Sequence, residues 1–233
     1  DEASVQLCLD LDLDIIKVAS CSVSDWPLLE VVAGAGKPVI ISTGGADLAD
    51  IDKVVSLFLH KESAFALMHC VGVYPTPPEL LHLGVIRRLQ RRYPGIPIGY
   101  SGHEAPDALD PVIVAVSKGA LLFERHVGVV TSDITLNAYS MNPEQTEAWV
   151  QAAKRAWVIA GEEHKFISGE EQSSLDSLKR GTYARWPIQK GQVITRDGVY
   201  FAVPLQQGQL TSGEYGVYRA TFTASRDYDT DEP

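Results

Sequence analysis

An α/β fold with a parallel sheet is predicted by three observations. Five apolar runs lack the apolar/polar alternation of half-buried strands, a stretch of helical period follows each, and helix-stop signals stand ahead of two of them. Residues 1–13 read as a helix, and Asp14–Ser20 (DIIKVAS) is the first run. Pro38–Thr43 (PVIIST), Ala64–Cys70 (AFALMHC), Ile96–Ser101 (IPIGYS) and Leu121–Val127 (LLFERHV) follow. Parallel strands covered on both faces require such continuous runs, and the intervals between them leave room for one crossover helix each. Asp47–Leu59 is such a helix, with Leu48, Ile51, Val54, Val55 and Phe58 recurring on one face. Gly36 before Lys37–Pro38, and Pro94–Gly95 before Ile96, end helices where a strand must begin.

A parallel sheet is either open and doubly wound or closed into an eightfold barrel, and both bind ligands beyond the carboxyl ends of their strands. No glycine-rich phosphate fingerprint follows any run, which weighs against a nucleotide-binding open sheet. The strand ends carry Lys17 and Ser20, Ser42 and Thr43, His69, Ser101 and His103, and Glu124 and His126 instead. That distribution favours a barrel of the TIM type, incomplete here, with three further strand–helix units expected ahead of residue 1. Residues 1–161 form this partial barrel, and 162–177, polar and acidic, read as a linker. Residues 178–224 read as a small β-rich domain with pieces at Thr182–Trp186, Gln192–Thr195, Val199–Val203 and Tyr215–Thr223. Residues 225–233 read as a solvated acidic tail.

Composition narrows the function classes. Thirty acidic against twenty basic side chains leave a formal charge of −10, which repels phosphate backbones and anionic membranes. No apolar stretch reaches the roughly 18–20 residues that span a bilayer. Three cysteines, Cys8, Cys21 and Cys70, are too few for a disulfide framework, so a reducing cytoplasm is expected. Arg87, Arg88, Arg91 and Arg92 make one helix face, expected to be solvated.

Five strand-end motifs stand in order: KVAS, ISTGG, MHCVGVYPTPPE, GYSGHE and FERHVGV, with KRGTYARWPIQKGQVIT after them. Together they resemble the N-acetylneuraminate (sialic acid) synthase family, a barrel followed by an antifreeze-like (SAF) domain. The resemblance implies condensation of phosphoenolpyruvate with an open-chain aldose, such as N-acetylmannosamine, giving a 2-keto-3-deoxy sugar acid and phosphate. It also implies a divalent metal, manganese or magnesium, and a domain-swapped homodimer in which the small domain closes the partner's site.

The residues carry their own chemistry beside that resemblance. Lys17 at a strand end suits a phosphate or carboxylate, and the resemblance extends phosphoenolpyruvate binding to Ser20, Ser42, Tyr74 and Ser101. A rim ion pair, or a Schiff-base lysine of an aldolase, is the other reading of Lys17. The hydroxyl of Ser42 and the amides of S-T-G-G can approach phosphate oxygens, although a glycine pair also simply makes a turn. His103 and His126, at the ends of adjacent strands, are the candidate metal ligands, and Glu124 is the candidate catalytic carboxylate. Tyr74 opens a stiff Y-P-T-P loop and could equally pack beneath it. Arg180, at the head of the small domain, is implied to reach the partner's sugar, or else is a surface arginine.

Four departures separate this chain from the family pattern. Cys21–Ser22 stands where a catalytic glutamate is usual, Gly72 replaces an asparagine, Gly102 replaces the aspartate of Y-S-D-H, and Leu136–Ser140 replaces an acidic sugar-side motif. A catalytically degenerate barrel-and-cap module that binds a ligand or assembles a larger protein is therefore the alternative function. Residues 1–233 alone are expected to lack synthase activity, because the family residues of the first three strands are missing from them.

Overall fold

The computed structural model describes residues 1–216 and 221–233. The chain divides into two compact units, Asp1–Gly161 and Glu162–Pro233. The first opens with α1 (Glu2–Asp10), where the Asp1 carboxylate accepts a hydrogen bond from Ser4 N at 2.8 Å and caps the free amides. Strand–helix alternation then runs β1 (Ile16–Val18), α2 (Trp26–Ala33), β2 (Val39–Ser42), α3 (Leu48–His60), β3 (Phe65–Cys70) and α4 (Gly84–Arg92). β4 (Ile98–Gly102), α5 (Asp110–Ser117), β5 (Phe123–Arg125) and α6 (Pro143–Ala160) complete it.

All five strands are parallel and lie in chain order, β1-β2-β3-β4-β5. A doubly wound sheet reverses its order at a switch point. Here each strand adds to the same side as the last, the progression of a barrel wall, so the sheet is half of a TIM-like barrel.

Register and strand alternation sort the side chains into two faces. Val18, Ile41, Leu67 and Ile98 stand in one row, buried against the helices. Lys17, Ser42, Cys70, Ser101 and Glu124 fall on the opposite face. Phe58 of α3, Leu29 of α2, and Ile86 and Leu89 of α4 are fully buried in the helix-side core. Each such side chain contributes roughly 1.5–3 kcal/mol through burial. A second cluster of Val112, Met141, Trp149 and Ala152 seats α6 on α5, with the Trp149 indole edge-on to Phe123 at 6.1 Å. The arginines of α4 are exposed, as expected. Arg92 makes a two-pronged pair with Asp52, which also accepts from the Tyr93 hydroxyl, and these bonds hold the Asp52 carboxyl down at about 2.

The second unit differs from the sequence expectation in three places. Within the segment read as a linker, Gly169–Leu178 forms α7, capped by Ser168 and started by Glu170 and Glu171. It buries no side chain, so it has no apolar stripe to reveal it. The β-pieces reduce to an antiparallel pair, β6 (Gly181–Ala184) with β7 (Val199–Ala202), and to an isolated bridge between Val193 and Thr223. In the piece expected at Tyr215–Thr223, Tyr215 instead ends the short helix α8 (Ser212–Tyr215), and residues 217–220 lie outside the described residues. The acidic tail is not frayed. Tyr228 exchanges backbone hydrogen bonds with Ile188 at 2.9 Å each way, and Ala184 is held by Asp231 and Glu232. The core of this unit is Ala184, Ile188, Val199 and Ala224. No helix among the described residues is long and apolar enough to cross a membrane.

Candidate active site

Lys17 is the only residue of β1 that points away from the helices. Its ammonium lies 2.9 Å from Ser42 Oγ, 3.2 Å from the Val18 carbonyl and 3.3 Å from Glu124 Oε2. Ser101 donates to the other oxygen of Glu124 at 2.9 Å. Four expected site residues from β1, β2, β4 and β5 thus form one polar row, because parallel register places Ser101 opposite Glu124. Three oxygen acceptors match the three N–H donors of an ammonium. An ammonium is a donor-only group, so an anion binding it would take the place of one of these acceptors.

Beside this row the imidazoles of His103 and His126 approach to 5.2 Å between ring centres. His103 is buried and its Nδ1 lies 3.1 Å from the Val71 carbonyl. That contact assigns the ring proton to Nδ1 and leaves Nε2 as the lone-pair nitrogen. Burial holds the His103 imidazolium below its ordinary range, which keeps the ring neutral and able to ligate. His126 is exposed. Tyr74 packs against His103 at 4.2 Å, and its loop is anchored where Thr76 N donates to the His103 carbonyl at 2.9 Å. Among the described residues no group of three or more His, Cys, Asp or Glu side chains is placed to hold a metal. The nitrogen donors that meet here are the two imidazoles.

Not every expected residue joins this cluster. The Ser20 hydroxyl accepts from Gly44 N at 3.0 Å and donates to Cys70 Sγ at 3.3 Å, so it ties the S-T-G-G turn to β3. A Cβ on Gly44 would meet Ser20 Oγ at 2.8 Å, so this turn needs its glycine for close approach. His69 faces the helices, with Nε2 2.7 Å from the Leu81 carbonyl, as a structural histidine. Arg180 is exposed in the second unit, with its guanidinium 5.9 Å from the Phe201 ring centre.

The NeuB family matches residues 1–165. The chain belongs to the NeuB family. N-acetylneuraminate-9-phosphate synthase of Homo sapiens is 30% identical over 201 residues, covering 84% of this chain and 55% of that protein. Spore coat polysaccharide biosynthesis protein SpsE of Bacillus subtilis is 29% identical over 227 residues, covering 90% of this chain and 60% of its own. A Chromobacterium violaceum structure described as spore coat polysaccharide biosynthesis protein E superposes with a TM-score of 0.93 at 47% identity. That match covers 100% of this chain and 69% of the other. The chain therefore spans 55% and 60% of the two curated relatives.

Within this NeuB wall the structure brings in residues that the motifs did not single out. Tyr139 stands edge-on to His126 at 4.9 Å and 5.1 Å from Tyr74. It arrives because Met141 N donates to the His126 carbonyl and Gly128 N to the Met141 carbonyl, folding residues 128–140 back onto the end of β5. A tyrosine inside the departing Leu136–Ser140 segment was the available signal. On the helix face, Arg125 and Glu104 form an ion pair at 2.7 Å with side chains 1% and 3% exposed. The Tyr100 hydroxyl donates to Glu104 at 2.7 Å, and burial pushes that phenol far up, keeping it a donor. Strand alternation signals this as well, since Arg125 lies between Glu124 and His126 and must face the other way. The Gly102 departure has its reason here: a Cβ at 102 would meet Glu104 Oε2 at 2.4 Å.

Proposed function

We propose that this chain carries the phosphoenolpyruvate- and metal-binding wall of a sugar-acid synthase, which condenses phosphoenolpyruvate with an aldose to give a 2-keto-3-deoxy sugar acid. The observation that carries this reading is the polar row of Lys17, Ser42, Ser101 and Glu124 lying beside paired imidazoles at the carboxyl ends of the strands. The name of the human relative, a sugar-acid synthase, supports it.

In the reaction, C3 of phosphoenolpyruvate bonds to the aldehyde carbon and the aldehyde oxygen takes up a proton. Water adds at C2, giving up one proton, and collapse of the adduct to the 2-ketone expels phosphate. Lys17 holds an anionic group of phosphoenolpyruvate as a point charge, with Ser42 and Ser101 as hydroxyl donors and Ser20 and Tyr74 flanking the site. Glu124, oriented by Lys17 and Ser101, is the carboxylate placed to take the proton of the attacking water. His103 and His126 hold a divalent cation, and nitrogen ligands favour manganese over the oxygen-seeking magnesium. When bound, that ion polarises the aldehyde oxygen as a Lewis acid. The second unit is the SAF-like cap, and Arg180 reaches the aldose of the partner subunit in a domain-swapped homodimer. The degenerate alternative rests on the four sequence departures, and neither curated relative described above supports it.

The test is to incubate the full gene product with phosphoenolpyruvate, manganese and a panel of aldoses and to follow phosphate release. Metal-dependent release with at least one aldose is expected. No release with any aldose, despite bound manganese, overturns the reading.

A further inference from the structure

The Glu104–Arg125 pair sits where charge is costly. Both side chains are almost wholly buried, and taking two charges out of water offsets most or all of their attraction, so such a pair is a poor stabiliser compared with apolar residues of the same volume. Its position suggests another use. Glu104 directly follows His103, and Arg125 directly precedes His126. The pair closes on the helix face of the sheet, and the imidazoles meet on the other.

Two further contacts and the space left by Gly102 make it a cross-link between the strand ends. Arg125 Nη2 donates to the Glu104 carbonyl at 3.0 Å, so one guanidinium grips both the backbone and the side chain of that residue. The Tyr100 hydroxyl, from the same strand as Ser101, fixes the Glu104 carboxylate at 2.7 Å. Gly102 leaves room for that carboxylate, because a Cβ there would also meet Tyr100 Cε1 at 2.9 Å. The ends of β4 and β5 are thereby joined at the residues flanking the two histidines. The ladder between these strands ends at the Gly102–Arg125 pair, and the Glu104–Arg125 contact adds a side-chain link just beyond it.

We propose that Glu104, Arg125 and Tyr100 are positioning residues that set the separation of His103 and His126 for a divalent cation. The inference rests on the reading of those histidines as metal ligands. Both charged side chains lie on the face of the sheet opposite the imidazoles and the polar row. They act by holding two ligands at a fixed spacing, as outer-shell partners of metal sites do.

The experiment uses the full gene product and manganese alone as the probe, with binding followed by calorimetry and by the electron paramagnetic resonance of the ion. Phosphoenolpyruvate binding without metal and thermal unfolding are measured alongside. The double variant Glu104→Leu/Arg125→Met replaces the pair by apolar groups and is expected to fold. Its manganese affinity is expected to fall about 10–100-fold. Phosphoenolpyruvate affinity, which depends on the Lys17 row, should stay close to that of the unaltered protein. Tyr100→Phe removes one hydrogen bond and should weaken manganese binding by less, with the fold intact. Manganese binding unchanged in the double variant overturns the inference, and so does equal loss of both ligands. If the double variant does not fold, an unchanged manganese affinity in Tyr100→Phe overturns it. Absence of manganese binding in the unaltered protein sinks the metal reading itself, which the other outcomes leave standing.

Discussion

Replacing Lys17 by methionine removes the one positive charge in the polar row and little else, since the aliphatic stem keeps its volume. The ammonium stands 3.3 Å from Glu124 Oε2, with the two side chains 34% and 39% exposed. At that separation the attraction between unit charges runs from about 1 kcal/mol in water to about 5 kcal/mol near a protein surface. Screening and desolvation reduce a charge-assisted hydrogen bond to about 1.5–3 kcal/mol net. An anionic group of phosphoenolpyruvate held by the same nitrogen should therefore lose about 10–100-fold in affinity. Folding should change by less than about 1 kcal/mol, because the existing ion pair is solvated. Calorimetric titration with phosphoenolpyruvate, paired with urea unfolding, separates the two effects. Lys17→Arg should not restore binding, because a planar fork cannot occupy a place shaped for a point donor among three oxygens. A methionine variant that binds phosphoenolpyruvate as tightly as the unaltered protein refutes the anion-gripping role. Borohydride trapping of a pyruvyl adduct on Lys17 would instead favour a Schiff-base lysine.

Three other perturbations test separate parts of the structure. Burial holds the His69 imidazolium below its ordinary range. Above about pH 6.5 both folded and unfolded states keep this ring neutral. As pH falls from there toward the lowered folded value, the unfolded chain takes up the proton first, and stability drops by up to about 1.4 kcal/mol per pH unit. His69→Gln should flatten that part of the urea midpoint profile relative to the unaltered protein, and an unchanged profile contradicts the assignment. Gly102→Ala drives a methyl group against Glu104 and Tyr100 and should cost about 1–3 kcal/mol in denaturant unfolding; a neutral result means the carboxylate can move aside. Tyr139→Ala opens the wall beside His126 and should alter the ranking of aldoses in a phosphate-release assay without raising the KM for phosphoenolpyruvate. Identical aldose ranking would leave Tyr139 without a role in acceptor choice.

Much of the fold was legible because burial writes itself into composition. Four of the five strands lie inside their apolar runs, and β4 passes the end of its run by one residue at Gly102; the starts are shortened because ladder pairing begins inside each run, as where Ile16 N meets the Pro38 carbonyl. Helix α3 falls within a residue of its expected bounds, since Asp47 caps it and four buried side chains mark its face. Helix α7 and the ordered tail escaped notice for the complementary reason. One is built from a local cap and exposed polar residues, the other from backbone hydrogen bonds, and neither leaves an apolar period. In the site, the strand-end residues Lys17, Ser42, Ser101, Glu124, His103 and His126 were legible one by one. Nothing in K-V-A-S shows that the Ser20 hydroxyl is engaged by Gly44 and Cys70.

The chain by itself determined a parallel α/β sheet with chemical groups on its carboxyl-end rim, because a run of apolar residues can be buried in few ways and each strand must then end in solvent. Tertiary structure alone decided which of those groups meet. Register between strands that are distant in sequence set Glu124 between Lys17 and Ser101, and the returning loop brought Tyr139 to His126. On the far face, the pairing of β4 with β5 brought Arg125 to Glu104. Those contacts depend on distances across the sheet, which no local pattern encodes.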